Sequence, residues 1–200
     1  MALTVEIFED SGALTLGHGT TRIITDNIGW KSSGLDETNH FVFYPLRRPD
    51  SGFTYSFIKY TYFKISGTYA KASRPRIIIN HSLRIGGECI GRTKLYYKLT
   101  NTYAEPTNAF DGSMIYIPPD DEEPNIRLYP RTSTVGPEVA TTYNQYLNTN
   151  TTYYTEYFVT QLFVHTTDYV DPEVVAASIY GNISSPLIKF EVDEYESTTT

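Results

Sequence analysis

The densest set of ionisable side chains is Asp120-Asp121-Glu122-Glu123, held between Pro118-Pro119 and Pro124. Carboxylates at this density are the raw material of a calcium site. A calcium loop, however, spaces its ligands at alternate positions and turns on a glycine, and this run has neither. It reads as a solvated loop whose flanking prolines stiffen it and block edge pairing. Asp168, Asp171 and Glu173 surround Pro172. Two carboxylates on β-loops can hydrolyse a glycosidic bond when their separation suits the chemistry. Asp and Pro also collect in any turn that follows a strand, and that is the simpler reading. His18, His40, His81 and His165 stand far apart, with no His-x-His or His-x-x-x-His pair to nucleate a metal site. Cys89, in Gly86-Gly87-Glu88-Cys89-Ile90-Gly91, matches no nucleophile signature and reads as a small residue in a glycine-rich bend. Gly17-His18-Gly19 lacks the strand–helix setting of a dinucleotide loop. No P-loop or Gly-x-Ser-x-Gly elbow occurs. The expectation is a chain without catalytic residues, cofactor or tightly bound metal.

What the sequence has in excess is aromatic surface. Of 200 residues, 18 are Tyr and 10 are Phe, against one Trp and two Met. Tyr and Phe, with the abundant Thr, Ile and Val, fit a pleated surface and favour strands. A chain of this length buries roughly 70% of its unfolded surface, so it needs no cross-links. Its one cysteine permits no internal disulfide. The net charge of −7 speaks against nucleic acid, which selects a basic face, and against anionic membrane surfaces. The first ten residues have no basic n-region, and Glu6 and Glu9 interrupt the apolar run, so no secretory signal is expected. No stretch approaches the roughly 18 apolar residues of a membrane span.

Strand signals position these side chains. Residues 3–9 alternate, with Leu3, Val5 and Ile7 on one side, and Asp10-Ser11-Gly12 is expected to end the strand. Further strands are expected at 20–25, around Trp30, at 76–81, 94–100, 113–117, 125–129, 176–183 and 187–192. Two are long. In 55–67, Ile58, Tyr60 and Tyr62 share one face, and Phe57, Lys59, Thr61, Phe63 and Ile65 the other. In 152–166, Tyr154, Phe158, Leu162 and Val164 oppose Tyr153, Tyr157, Val159 and Phe163. Val139, Tyr143, Tyr146 and Leu147 after Pro137 form the one helix candidate, equally readable as an excursion between strands. Strands separated by turn signals, with almost no helical period, predict an all-β fold: an antiparallel β-sandwich of jelly-roll type, with long loops and at most one short helix. One domain is expected over 1–193, with a flexible tail at 194–200.

One region carries a resemblance. Asn27-Ile28-Gly29-Trp30-Lys31-Ser32-Ser33, then Tyr44-Pro45-Leu46-Arg47-Arg48-Pro49, then Tyr55-Ser56-Phe57-Ile58-Lys59-Tyr60 and Phe63-Lys64-Ile65-Ser66-Gly67-Thr68-Tyr69 resemble small β-rich virion structural proteins of tailed bacteriophages. There a Trp-Lys segment precedes a proline-bracketed loop and a long aromatic strand. The resemblance implies a particle component of the neck, tail or capsid surface, assembled in the host cytoplasm. It carries no catalytic residues with it.

The expected role is therefore a non-enzymatic virion protein that self-associates and docks to other virion proteins, with no nucleic-acid or membrane partner. Apolar groups on both faces of the long strands motivate the assembly: a monomer covers both only if its own loops, such as 101–112 or 136–150, fold across one. Tyr44, Arg47, Arg48, Tyr153, Tyr157 and Phe163 are the candidate interface residues, because Tyr and Arg carry much of the energy of protein contacts. A carbohydrate-binding β-sandwich module, with tyrosine platforms, is the alternative.

Overall fold

The computed structural model describes residues 3–15, 18–24, 49–67, 71–73, 76–80, 94–117, 125–128, 145–147, 153–165, 187–191 and 194–196. Among them every element is a β-strand and every pairing is antiparallel. The largest sheet is built from β1 (Leu3–Thr15), β2 (His18–Ile24), β3 (Phe53–Tyr55), β4 (Lys59–Gly67), β7 (Lys94–Thr100), β8 (Ile115–Ile117), β11 (Tyr153–Tyr154) and β12 (Tyr157–His165). Its order is β2-β1-β4-β12-β7-β8, with β11 beside β4 and β3 beside β12. A three-stranded sheet joins β6 (Arg76–Asn80) to β9 (Asn125–Arg127) and β13 (Leu187–Glu191). Another joins β5 (Lys71–Ser73) to β10 (Gln145–Leu147) and β14 (Glu194–Glu196).

The two long strands expected from sequence are each broken by one extra residue. Tyr55 pairs with Phe163, but Lys59 pairs with Thr160. Three residues thus face two across the gap, which is a bulge. Ser56 bridges it. Its N–H donates to the Leu162 carbonyl at 2.8 Å, and its hydroxyl accepts the Leu162 N–H at 2.9 Å. A second bulge lies between β11 and β12, since Tyr154 pairs with Lys64 but Phe158 with Thr61. Here Thr155 serves. Its N–H donates to the Phe63 carbonyl at 2.9 Å, and its hydroxyl accepts the Phe63 N–H at 3.0 Å. Both hydroxyls replace a missing ladder partner, so the Leu162 and Phe63 N–H groups keep an acceptor. A bulge also reverses which face a residue takes. Tyr154 therefore lies with Tyr62, rings 6.0 Å apart, and not with Phe158 as strict alternation predicts.

Other differences have equally local causes. Asp10-Ser11-Gly12 does not end β1. Gly12 takes a φ of 78°, the register with β2 shifts between Ser11 and Thr15, and the strand runs on. Gln145–Leu147, the end of the helix candidate, is strand β10 paired with β5. Glu194–Glu196, read as tail, pairs with β5 on its other side. The expected strands around Trp30 and at 176–183 lie outside the described residues.

Each face of the main sheet carries a buried cluster. One gathers Phe63, Leu95, Ile117, Phe158, Leu162 and Val164, and Ile77 of β6, Ile126 of β9 and Leu128 enter the same cluster. The other gathers Ile58, Tyr60, Tyr62, Tyr157 and Val159 with Tyr103 and Met114. Burying each such side chain contributes roughly 1.5–3 kcal/mol. On sequence grounds this second face needed a partner unless a loop crossed it. Residues 101–114, a strap with no regular secondary structure, cross it.

Candidate functional site

Polar contacts tie the strap down. The Ile58 N–H donates to the Thr107 carbonyl at 2.9 Å, and the Gln161 amide to the Ala109 carbonyl at 3.1 Å. The Tyr103 ring, 2% exposed, lies 4.8 Å from that of Tyr60, and its hydroxyl donates to the Gly12 carbonyl at 2.6 Å. Burial pushes the Tyr103 hydroxyl pKa up, with nearby Asp10 adding to the effect. At the far end Lys98 donates to Asp111, whose other oxygen accepts the Ser113 N–H at 2.9 Å and its hydroxyl at 2.6 Å. The Lys98 bond first, then the Ser113 hydroxyl, lower the Asp111 pKa to about 2. Gly19 makes room for Tyr103: a Cβ there would sit 2.4 Å from the tyrosine oxygen and 2.3 Å from the Ser11 carbonyl oxygen.

Two clusters of reactive side chains follow from this packing. The first is buried. Lys59 and Glu9 form an ion pair at 2.8 Å, with side chains 2% and 1% exposed. Asp10 accepts the hydroxyls of Tyr157 and Thr21, the latter at 2.6 Å. Lys59 and Glu9 neutralise one another, and the two hydroxyls satisfy Asp10, as burial of charge requires. Glu9, Asp10, Lys59 and Tyr157, at 1–3% exposure, offer a substrate no access.

The second cluster is open, and the ladder registers assemble it. Tyr55, Phe163 and Lys94 are successive cross-strand neighbours on β3, β12 and β7. Gln161, Tyr96 and Tyr116 are the corresponding row on β12, β7 and β8. Neighbours in such rows lie on one face, close enough for rings to touch. Phe110 of the strap stacks on Tyr55 at 5.1 Å and meets Tyr96 at 5.0 Å. Tyr96 meets Tyr116 at 5.6 Å, and Tyr55 meets Phe163 at 5.3 Å. The Lys94 ammonium closes the circuit, 5.3 Å from the Tyr116 ring centre and 5.9 Å from that of Phe163. Phe53 extends the circuit against Phe163 at 5.2 Å.

Much of this patch meets solvent: Phe53 is 58%, Phe110 42% and Tyr116 36% exposed. Burial, then the neighbouring Tyr96, raise the Tyr55 pKa, so its hydroxyl stays a neutral donor at physiological pH. Among the described residues no carboxylate pairs with Lys94. Below the rings, the Gln161 amide also donates to the Ser56 carbonyl at 3.0 Å, while its buried Oε1 has no donor among the described residues.

Of the expected interface residues, Phe163 stands at the centre of this patch. Tyr157 is 1% exposed inside the chain and bonded to Asp10, so it is no surface residue. Tyr153 pairs in register with Ile65. Tyr44, Arg47 and Arg48 lie outside the described residues, as do Asp120–Glu123 as a run, Asp168, Asp171, Glu173, Cys89, His40 and His81. Among the described residues no group of three or more His, Cys, Asp or Glu side chains is placed to hold a metal ion, and no helix is long and apolar enough to cross a membrane. Phe53, Tyr55, Lys94, Tyr96, Phe110 and Tyr116 were not singled out from sequence. Each sits in a strand or loop of ordinary composition, and only the cross-strand pairing joins them. No protein-family model matches the chain, and no curated protein or solved structure matches it.

Proposed function

We propose that this chain is a non-enzymatic docking protein, a structural component of a phage virion, that binds other virion proteins through the aromatic patch. The observation that carries docking is the cluster of exposed rings at Phe53, Phe110 and Tyr116, continuous with Tyr55, Tyr96 and Phe163. Monomeric proteins seldom leave contiguous aromatic surface in water, and Tyr and Phe supply large contact area at little entropy cost. The virion setting rests on the resemblance of residues 27–69. In this reading the chain has a two-layer sandwich core. The β6–β9–β13 sheet packs on the main sheet, supported by Ile77 and Ile126 in the cluster of Phe63 and Phe158. Self-association uses other surfaces, such as the β1–β2 hairpin, where Leu14 and Ile23 are 54% and 53% exposed. No nucleic acid, membrane or cofactor takes part.

The strap weakens the original motive for assembly, since the chain covers its own second face; the residual patch replaces that motive. Sedimentation over a wide concentration range, with and without purified phage particles, tests the reading. A strict monomer that binds no particle component removes it. Open aromatic rings also favour a second reading, a carbohydrate-binding module that stacks sugar rings. A glycan array distinguishes it.

A further inference from the structure

We propose that the partner of the aromatic patch is an acidic segment of another polypeptide, one carrying an aromatic or large apolar side chain beside a carboxylate. This rests on the docking reading and specifies its chemistry. Lys94 carries the argument. Its ammonium lies over the faces of Tyr116 and Phe163, inside the ring circuit, with no carboxylate paired to it among the described residues. A partner that covers the rings also covers this cation and removes its water. Such a contact is favourable only when the partner brings an opposite charge. An uncharged apolar cover would strand the ammonium, and a basic one would repel it.

The same cation argues against a second copy of the chain seated patch to patch. A two-fold contact centred on the Lys94 end of the circuit would bring the two Lys94 ammoniums together, and one centred elsewhere would supply no carboxylate from the patch itself. The rings set the remaining requirement. Tyr55 with Phe110 and Phe53 with Phe163 form stacked pairs, at interplanar angles of 20° and 29°. An added aromatic or large aliphatic side chain extends such stacks. Beyond β8, Pro118 and Pro119 supply no N–H groups. Strand addition at that edge is therefore short, and side-chain contacts at the patch must dominate.

The test measures binding of the whole chain to three immobilised polymers by interferometry: a random Glu/Tyr copolymer, a random Lys/Tyr copolymer and polyglutamate. Polygalacturonate serves as the acidic-glycan arm. The proposal expects binding to Glu/Tyr alone, weakened at least tenfold by Lys94→Glu and by Phe53→Ser, and retained in Lys94→Arg. Lys94→Met is the second variant, expected to lose several-fold without charge reversal, and thermal melts confirm that each variant folds. Equal binding of Lys/Tyr, equal or tighter binding of polygalacturonate, or indifference to Lys94→Glu overturns the acidic-peptide assignment. Docking is judged separately. If Phe53→Ser abolishes binding to particle components while Lys94→Glu does not, the patch docks but its partner is not acidic. If neither variant changes particle binding, the docking reading falls.

Discussion

Truncation of Tyr103 to Ala should destabilise the fold as a core mutation does, although the residue sits in a strap without secondary structure. The ring is 2% exposed and packs on Tyr60 and Tyr157, at 4.8 and 6.1 Å between centres. Removing a buried aromatic side chain costs about 3–5 kcal/mol. Tyr103→Phe keeps the ring but deprives the Gly12 carbonyl of its 2.6 Å donor. One buried hydrogen bond lost in this way costs about 1–2 kcal/mol. For a chain of this size each kcal/mol lowers Tm by about 2–4 °C. The Phe variant should thus melt about 2–8 °C lower and the Ala variant at least about 6 °C lower. Urea unfolding followed by circular dichroism measures both. Limited proteolysis adds a local readout, since a detached strap should be cut within 101–114 before the strands are. An Ala variant that loses less than about 1 kcal/mol, or that protects the strap as the wild type does, would refute the claim that the chain covers its own second face.

Three further outcomes follow from the packing. Asp111 has a folded pKa of about 2, below its ordinary 3.8. Its carboxylate stabilises the fold above about pH 4, and that contribution is lost as pH falls through 2. Asp111→Asn should remove part of the acid-induced loss in that window, about 1 kcal/mol after discounting for a side chain 26% exposed, as acid titration of the melting temperature can show. Gly19→Ala drives a Cβ into the Ser11 carbonyl and the Tyr103 hydroxyl. It should cost about 1–3 kcal/mol in urea unfolding, and Tyr103→Ala should relieve only the side-chain part. Breaking the buried pair with Glu9→Gln or Lys59→Met strands one charge at 1–3% exposure and should cost about 3–5 kcal/mol. Glu9→Leu with Lys59→Met together should cost much less, a difference a double-mutant cycle reads directly.

Much of the fold was legible because alternation is a local signal. Ile58, Tyr60 and Tyr62 do share a face, and Phe63 lines the other, with Ile65 buried opposite Val5. Tyr157 and Val159 do oppose Phe158, Leu162 and Val164. The bulges were not legible. One added residue at Ser56 or Thr155 leaves composition unchanged, and only the partner strand's register reveals it. Tyr154 was therefore assigned to the wrong face. The strap was foreseen as one way to cover a face, but the inward turn of Tyr103, Pro106 and Met114 has no period to read. The patch was hidden for a third reason. Its rings come from residues 53 to 163, and chain-distant neighbours become adjacent only through pairing. Phe163 was chosen for its position on a two-sided strand, and it marked the patch's centre. Tyr157 was chosen by the same rule and is buried, because Tyr103 of the strap packs over that end of the face.

The most direct test of docking compares the wild-type chain with the double variant Phe53→Ser and Tyr116→Ser for binding to purified phage particles and their separated components. Both side chains are exposed, at 58% and 36%, so the variant should fold and melt within a few degrees of the wild type. The account predicts that the wild type binds a component and that the variant binds at least tenfold more weakly. Binding unchanged by the double substitution, in a variant that melts normally, would contradict it.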